Sequence, residues 1–259
     1  MKFDDLDKKM RIYETAADLC VLPGMFMVAR IDGRSFTRLT KEVCQFEAPF
    51  DVRFRDLMVA TTESLMNCGF KVLYAYTESD EISLLFGPDE RVFGRKLRKY
   101  NSTLAGEASA QFSVRLGQAA SFDCRISQLP SVELVVDYFR WRNEDAARNA
   151  LNSWCYWTLR KQGLKEQEAT MRLLGKSVSQ KNEMLFQLGI NFNEIPRWQK
   201  RGVGLYWENY DKPSVNPITN TETVARRKRI QTNYDIPMKS DYGVFVESII
   251  SQSRTAGVA

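Results

Sequence analysis

The chain has 259 residues, of which 44% are hydrophobic and 27% charged, a composition typical of a globular protein large enough to bury a core. Its net charge of +5 weakly favours a polyanionic partner. It contains no histidine, which excludes serine–histidine and cysteine–histidine catalysis and histidine-ligated zinc.

Five cysteines are scattered along the chain with no CxxC pair, which indicates reduced thiols rather than a disulfide or zinc framework. No apolar run approaches the ~18 residues that a membrane span needs, and the N-terminus has no signal-peptide pattern. We therefore expect a cytoplasmic protein without a membrane segment. Its chemistry would rest on carboxylates, hydroxyls, lysine and arginine, and carboxylates without histidine often act through bound Mg²⁺.

The first half of the chain predicts alternating helices and strands. Strands are expected at Met25–Ile31, Lys71–Tyr76, Ile82–Phe86 and Ala120–Ile126. Helices are expected at Leu6–Cys20, Phe50–Cys68 and Phe93–Leu116. The β-α-β-β-α-β order over residues 25–126 is the ferredoxin-like arrangement, in which the first and third strands are antiparallel neighbours in the middle of the sheet.

Beyond residue 130 the pattern is mainly helical. Helices are expected at Val132–Trp141 with Ser131 as the cap, Ala146–Lys161, Ala169–Leu174 and Gln180–Leu188. A strand is expected at Gly202–Trp207, a loop at Pro213 and Pro217, and a basic stretch at Thr223–Ile230. The predicted fold class is α+β, with a ferredoxin-like βαββαβ domain and antiparallel sheet followed by a mainly helical C-terminal part.

Carboxylates follow the first predicted strand and open the third. Asp32 and Gly33 lie at the first place, and Asp80 and Glu81 at the second. Because the two strands are expected to be antiparallel neighbours, these acids should meet at one end of the sheet. Two carboxylates so placed suit a pair of Mg²⁺ ions about 3.5–4 Å apart, and the glycine would let the backbone approach a metal or phosphate closely. The alternative is an ordinary Asp-Gly turn and a solvated hairpin.

Three further groups carry a functional and a structural interpretation. The spacing of one helix face is found at Arg95, Lys99 and Ser102. Together with Lys96, this face could bind a triphosphate, or it could simply be exposed to solvent. Arg226, Arg227, Lys228 and Arg229 suit contacts with a phosphate backbone if they lie on a strand, but also suit a charged edge strand. An aromatic group could stack on bases, although core packing is the simpler explanation: Tyr138, Phe139, Trp141, Trp154, Tyr156 and Trp157.

Taken in order, these motifs resemble those of tRNA-histidine guanylyltransferases and their bacterial and archaeal guanylyltransferase-like relatives. The resemblance covers roughly residues 20–240. It is carried by Arg30-Ile31-Asp32-Gly33-Arg34-Ser35-Phe36, Pro49-Phe50-Asp51, Tyr76–Glu81, Phe93–Lys96 with Lys99 and Ser102, Ser121–Arg125, Tyr138–Arg142, Arg148–Asn152, Lys181-Asn182-Glu183 and Lys200-Arg201-Gly202.

The resemblance implies a polymerase-like palm domain at residues 1–137 and a helical, basic, RNA-contacting region at residues 138–259. It implies nucleotide addition in the 3′-to-5′ direction at the 5′ end of tRNA. In that chemistry ATP or GTP activates a 5′-monophosphate, and the 3′-hydroxyl of an incoming nucleoside triphosphate then displaces the activating nucleotide. The implied partners are tRNA, ATP, GTP and other nucleoside triphosphates, and the implied assembly is a homotetramer.

The resemblance also assigns roles by position. Asp32, Asp80 and the Gly33 carbonyl would hold two Mg²⁺ ions, with Glu81 supporting them. The nucleotide-binding residues would be Arg30, Gly33, Arg34, Ser35, Phe36, Asp51, Arg95, Lys96, Lys99 and Ser102. The RNA-contacting residues would be Arg125, Asn149, Lys181, Lys200, Arg226, Arg227 and Arg229.

The chain departs from the eukaryotic pattern at a few positions. Ala147 and Ala150 stand where a His-x-Asn-Asn motif has its histidine and second asparagine, Ala48 replaces a lysine, and Phe50 replaces an asparagine. These departures favour template-dependent repair of 5′-truncated tRNA over dedicated addition of G₋₁ to tRNA-His. A palm-type nucleotide cyclase and a non-catalytic RNA-binding module are two further functions that such a sheet could serve.

Overall fold

The computed structural model describes residues 2–215 and 221–255. Within these residues, six strands form one antiparallel sheet in the order β4-β1-β3-β2-β5-β6. The strands are β1 (Phe26–Arg34), β2 (Val72–Glu78), β3 (Glu81–Phe86), β4 (Ser121–Leu129), β5 (Val203–Val215) and β6 (Glu222–Asn233). The helices are α1 (Phe3–Thr15), α2 (Phe36–Arg38), α3 (Val52–Met66), α4 (Leu97–Leu116), α5 (Val132–Lys161), α6 (Glu166–Leu173), α7 (Val178–Gln187), α8 (Arg197–Arg201) and α9 (Lys239–Thr255).

The ferredoxin-like order predicted for the first half is confirmed. Strand β1 lies in mid-sheet between β3 and β4 and is antiparallel to both. Strands β2 and β3 form a hairpin whose tight turn contains Ser79, a residue with φ of 49°. Asp51 caps helix α3, and its carboxylate accepts a hydrogen bond from the backbone N–H of Arg53. Gly117 ends α4 in the left-handed conformation that glycine adopts most easily.

The two faces of the sheet are covered by different helices, because residues alternate in direction along each strand. One face packs on α3 and α4 around Met27, Ala29, Leu84 and Phe112, all fully buried. The other face packs on α5 and α9 through a second apolar cluster that includes Val28, Tyr74 and Phe139. A smaller cluster joins α5 to α7. No helix of the described segments is both long and apolar enough to cross a membrane.

The C-terminal part is helical and also extends the sheet. Strand β5 pairs with β2 and runs beyond the predicted segment through Pro213, and the basic stretch forms β6 beside it. Pro217 of the predicted loop lies outside the described residues. The two helices predicted at Val132–Trp141 and Ala146–Lys161 form one helix, α5, capped by Ser131 as expected. The intervening polar residues contain no helix breaker, and α5 crosses the position of the predicted boundary between residues 137 and 138.

Gly202 is the glycine on which the junction of β5 with the sheet depends. Its backbone has φ of 73° and ψ of −165°, a conformation essentially restricted to glycine. A Cβ atom there would lie 2.6 Å from the Tyr76 ring and 2.7 Å from the Thr77 carbonyl oxygen. We expect Gly202→Ala to lower the free energy of unfolding by about 2–4 kcal/mol through backbone strain and overpacking.

Chemical denaturation measures this effect, and Gly106→Ala is the matched control. Gly106 lies within α4 with no atom within 4 Å of an added Cβ, so its replacement should be neutral or stabilising. An equal response of both variants would contradict the steric argument.

Candidate active site

Asp32 and Asp80 meet at one end of the sheet, as the predicted strand order requires. In the β1–β3 pairing Asp32 lies opposite Glu81, directly after the turn that contains Asp80. The backbone N–H of Gly33 donates to the Asp80 carbonyl oxygen over 2.9 Å, which ties the end of β1 to that turn. The two carboxyl groups are close enough for Asp32 to raise the pKa of Asp80. The predicted convergence is confirmed, and the metal-binding role of these residues stays a prediction.

Acidic side chains form a row across four neighbouring strands at this end. Residues directly opposite each other in an antiparallel pair point to the same face of the sheet. The register pairs Asp32 with Asp123 on one side and with Glu81 on the other, and Glu81 in turn with Glu78. Such a row of like charges destabilises a sheet unless cations separate them.

Three arginines separate these acids. Arg30 contacts Asp32 at 3.1 Å and Glu81 at 2.8 Å. Arg125 contacts Asp32 at 3.3 Å and Asp123 at 3.4 Å. Arg142 of α5 donates to both oxygens of Glu81, at 2.7 and 2.8 Å. Both Glu81 oxygens are thus engaged by arginine, which places this residue to hold its neighbours rather than to contact substrate.

Burial raises the proton affinity of the acids around the hairpin turn. The pKa of Asp80 is raised by burial and then by the charge of Asp32. Burial, followed by the charge of Glu81, raises the pKa of Glu78 to about 8. Burial also raises the pKa of Glu81, although Arg142 opposes that shift. Carboxylates with raised pKa values in a cleft are typical of functional sites, which makes this end of the sheet the candidate.

The donor set at this end fits Mg²⁺. The Asp32 and Asp80 carboxylates and the Gly33 carbonyl are hard oxygen ligands, which Mg²⁺ prefers. Across residues 2–215 and 221–255, no group of three or more acidic, cysteine or histidine side chains is arranged as a self-sufficient metal site. In the usual Mg²⁺ site of a phosphate-handling enzyme, one or two carboxylates share the ion with water and substrate phosphates.

Glycine is required at position 33 because of Phe36. A Cβ atom on Gly33 would lie 2.5 Å from the Phe36 ring, which is buried against Phe54, Phe112 and Phe122. The Phe36 ring therefore stands directly beneath the backbone that links Asp32 to the hairpin turn. Of the predicted nucleotide-binding turn, Arg34 and Ser35 are exposed, whereas Phe36 belongs to the core.

A cavity of about 330 Å³ opens beside the hairpin turn and is here named the Asp80 cavity. Its wall joins the turn to α3, α5 and α8, and one part of it is aromatic. Phe50 and Trp198 meet edge to face at 5.9 Å, and the Arg55 guanidinium lies 4.7 Å from the Trp198 ring centroid. Other residues in the wall are Phe36, Lys41, Asp51, Asp80, Asn149 and Trp157.

Only some of the residues predicted to bind a triphosphate are free to contact a ligand. The expected helix face that joins Arg95 to Lys99 and Ser102 is wrong, because α4 begins at Leu97 and Arg95 lies in a preceding turn with φ of 61°. The Arg95 side chain is buried and donates to the backbone carbonyls of Val21, Met25, Pro88 and Glu90. Its guanidinium thus fastens loops together rather than facing a ligand.

The other three members of that group lie near the surface. Lys96 pairs with Asp18 at 2.8 Å, whereas Lys99 and Ser102 are exposed on α4. None of the four lines the Asp80 cavity. Asp51 does line it, but its carboxylate caps α3 and pairs with Arg53, which lowers the pKa of Asp51 to about 2.

The predicted RNA-contacting residues are dispersed over the C-terminal part and β4. Asn149 lines the Asp80 cavity, and Lys181 lies half-buried on α7. The Lys200 ammonium is held by the backbone carbonyls of Phe192 and Asn193, a structural role that leaves it less free for RNA. Only Arg125 reaches the carboxylate row. Arg226, Arg227 and Arg229 are exposed on β6, where Arg229 pairs with Glu208 at 2.7 Å.

Arg142 is the residue that the sequence analysis missed as part of the site. It is buried and contacts Glu78 and Asp145 as well as Glu81. A signal for it exists in the sequence. Val135, Phe139, Arg142 and Ala146 recur at helical spacing, so an arginine stands among the apolar residues of a core-facing stripe. A buried arginine in such a stripe requires acidic partners.

Comparison with known proteins gives a consistent result. Residues 7–130 match the family described as "tRNAHis guanylyltransferase", and residues 133–244 match "Thg1 C terminal domain". The tRNA(His) guanylyltransferase of Debaryomyces hansenii is 34% identical over 204 residues, which cover 74% of this chain and 76% of that protein. The human "Probable tRNA(His) guanylyltransferase" is 32% identical over 215 residues, covering 78% of this chain and 71% of that protein.

Solved structures agree with the sequence matches. The crystal structure of the Saccharomyces cerevisiae tRNA(His) guanylyltransferase aligns with a TM-score of 0.69 and 27% identity, covering 74% of this chain and 90% of that one. A bacterial Thg1-like protein in complex with GTP aligns with a TM-score of 0.73 and 27% identity, covering 95% and 99%. The described fold, the convergent aspartates and these matches lead to one conclusion: the chain belongs to the tRNA(His) guanylyltransferase family.

Proposed function

We propose that this chain is a Mg²⁺-dependent nucleotidyltransferase that adds a guanylate from GTP to the 5′ end of tRNA(His). The observation that carries the proposal is the meeting of Asp32, Gly33 and Asp80 at one end of the sheet, where Asp80 lines a cavity, in a chain of this family. The names of the relatives favour this reading over the repair reading. A cyclase and a non-catalytic module have no such support.

The chain's own residues have distinct parts in this proposal. Asp32, Asp80 and the Gly33 carbonyl would hold two Mg²⁺ ions, which when bound activate the attacking oxygen and stabilise the leaving group. Arg30 and Arg125 hold the Asp32 carboxylate in place. A 5′-monophosphate would first attack the α-phosphorus of ATP or GTP, releasing pyrophosphate. The 3′-hydroxyl of the incoming GTP would then attack the activated 5′ phosphorus, and the activating nucleoside monophosphate would leave.

The Asp80 cavity is the proposed place for a nucleotide. Its aromatic edge at Phe50 and Trp198 suits a base, while the Arg55 guanidinium offers positive charge to phosphates. Bacterial Thg1-like proteins have been solved with GTP and with ATP, which supports nucleotide binding by this fold. Whether Lys99 and Ser102 grip a second nucleotide outside the cavity stays a prediction.

Repair of 5′-truncated tRNA is the second candidate function. The bacterial Thg1-like structure covers 95% of this chain, against 74% for the yeast enzyme. In addition, Ala150, which replaces an expected asparagine, lines the Asp80 cavity itself. The substrate-facing wall therefore differs from the eukaryotic pattern at a position that could alter substrate choice.

One assay separates the candidates. The protein is incubated with Mg²⁺, ATP, GTP and the other nucleoside triphosphates, together with 5′-labelled tRNA(His) lacking G₋₁ or a tRNA lacking its first nucleotide. Extension of the first RNA alone supports guanylate addition, and templated extension of the second supports repair. Failure to extend either RNA, with cyclic nucleotide formed instead, would replace both by the cyclase reading.

The β5–β6 hairpin is proposed to contact the tRNA backbone. Arg226 and Arg227 are exposed and form no ion pair with a described residue. We expect Arg226→Gln/Arg227→Gln to weaken tRNA binding and to reduce the slope of log K against log salt by roughly 0.7–0.9 for each phosphate that the arginines no longer neutralise. Filter binding over a salt series measures the slope.

Lys8→Gln/Lys9→Gln is the control for that experiment. It removes the same net charge from exposed positions on α1, far along the chain from the hairpin. If both double variants change the slope equally, the effect is one of overall charge and the hairpin makes no specific contact.

Assembly into a homotetramer is also a proposal, as is a cytoplasmic location. Helix α1 has no buried residue, and its apolar side chains Phe3, Leu6, Met10 and Tyr13 are exposed. Exposed apolar helix faces of this kind are typical of surfaces that another chain covers. Light scattering over a concentration series would measure the mass, and a monomer at all concentrations would contradict the tetramer.

A further inference from the structure

A second cavity of about 410 Å³ lies directly beside the Asp80 cavity and is here named the Trp157 groove. The two share Lys41, Ser153 and Trp157 in their walls. The remaining wall of the groove consists of Asn152, Tyr156, Thr170, Leu173 and Leu174. A ligand in the groove would therefore be separated from the Asp80 cavity by little more than the Trp157 side chain.

The wall of the groove suits an aromatic base and carries few charges. Trp157 and Tyr156 meet edge to face at 5.3 Å, and the Lys41 ammonium lies 5.2 Å from the centroid of the Trp157 ring. Lys41 is exposed and forms no ion pair with any described residue. A base that stacks on Trp157 would displace this ammonium toward its own phosphate at little cost, since no ion pair has to break.

The charges in the groove exclude a nucleoside triphosphate with its metals. Lys41 is the one charged side chain of the described wall, and no carboxylate is present. A triphosphate needs several cations, whereas an unpaired nucleotide within an RNA chain carries a single phosphate charge. Stacking aromatic residues with a cation at hand are the usual platform for single-stranded nucleic acid.

The geometry of tRNA supplies such a nucleotide at this place. The 5′ end of a tRNA closes the acceptor stem, and the 3′ strand continues beyond it as a short unpaired overhang. When the 5′ phosphate lies at Asp80, the first unpaired 3′ nucleotides must lie within a nucleotide or two of the reaction site. The Trp157 groove is the adjoining cavity that can receive them.

We propose that the Trp157 groove binds the unpaired 3′ overhang of the acceptor stem by stacking a base on Trp157. This inference rests on the proposed function, because it uses a 5′ end held at Asp80. It assigns to Trp157 and Lys41 a role in holding the RNA strand opposite the one being extended, separate from the contacts made by the metals and the nucleotide.

The test uses an acceptor-stem minihelix with 2-aminopurine at the first unpaired 3′ position, whose fluorescence falls when the base stacks. We expect the wild-type protein to quench it. Trp157→Leu should abolish the quenching and weaken binding of this RNA roughly 10-fold or more. A blunt minihelix without the overhang should bind wild type and Trp157→Leu equally. Trp157→Phe, which keeps a ring, should retain most of the quenching and guards against a folding defect.

Phe186→Leu is the control, because Phe186 is an exposed aromatic residue on α7 that is absent from the wall of the groove. Quenching that survives Trp157→Leu, or an equal loss of binding for overhanging and blunt RNA, would overturn the proposal. If the proposed function is wrong but the groove binds the overhang, the wild-type protein would extend no tRNA and would still quench the 2-aminopurine fluorescence through Trp157.

Discussion

Replacing Asp80 with asparagine is expected to abolish nucleotide addition and yet leave the metal-free protein at least as stable as the wild type. The loss of rate should be at least about 10²–10³-fold, the scale on which removing one transition-state contact lowers kcat. Stability should not fall, because the Asp80 carboxyl is partly buried and lies near Asp32 without an arginine of its own. An acid that costs stability but is needed for activity is the mark of a site arranged for a ligand.

The sign of the pH dependence follows from the raised pKa of Asp80. A carboxyl whose pKa is higher in the folded state than in the unfolded state binds more protons when folded. The wild-type protein should therefore lose stability relative to Asp80→Asn as the pH rises through that raised pKa. Thermal melting in chelator over a pH series measures this difference, and Mg²⁺ should stabilise the wild type but not the variant.

Asp32→Asn provides the informative contrast. It should abolish activity equally, but it should lower stability, since the Asp32 carboxylate is held by Arg30 and Arg125. Asp4→Asn, in the exposed first turn of α1, should change neither property appreciably. Full activity of Asp80→Asn, or a large loss of its stability without loss of activity, would refute the metal assignment.

The meeting of Asp32 and Asp80 could be predicted from the sequence because it depends only on strand order. Short apolar runs and polar turns identify β1, β2 and β3, and the topology then sets which strand ends adjoin. No side-chain contact has to be known. The cap at Ser131 could be predicted because it is a local pattern, whereas Thr223–Ile230 was predicted only as a basic stretch that would suit a strand.

Arg95 could not be placed in the same way, because its role depends on contacts distant in sequence. Its acceptors include Val21 and Met25, about seventy residues earlier, and a turn with positive φ lifts it off α4. Helical spacing predicts a shared face only where the helix exists. The wall of the Asp80 cavity has the same origin, since Trp157 and Trp198 reach it from separate helices.

The requirement for glycine at position 33 has a second cause beside the one expected. Close approach of the backbone to a metal or phosphate was the predicted reason, whereas the structure adds a packing reason three residues away. The Phe36 ring occupies the space a Cβ would need, at 2.5 Å. A tightly packed core thus reaches directly under the Gly33 backbone, which couples the position of Asp32 to the aromatic cluster.

Arg142 is expected to be the residue whose loss most damages both stability and activity. Its side chain is buried, and it is bonded to Glu81 at both oxygens and contacts Glu78 and Asp145. Arg142→Met should leave these acids without their cation and lower the free energy of unfolding by about 3–5 kcal/mol. Arg148→Gln is the matched control, because Arg148 also pairs with Asp145 but is exposed, and its loss should cost less than about 1 kcal/mol.

Arg142 should affect activity by keeping Asp32 in position and not by contacting the substrate. Glu81 holds Arg30, and Arg30 holds Asp32, so an unpaired Glu81 would draw Arg30 away from the aspartate. We expect Arg142→Lys, which keeps one charge but not the bidentate geometry, to lower kcat and Mg²⁺ affinity more than it raises KM for GTP. Isothermal titration calorimetry with Mg²⁺ measures the metal affinity separately from turnover. Adding Glu81→Gln to Arg142→Met should recover part of the stability, because the buried charge is relieved, and part of the activity, because a neutral amide no longer draws Arg30 away from Asp32. Stability that recovers without any activity would contradict this route from Arg142 to Asp32.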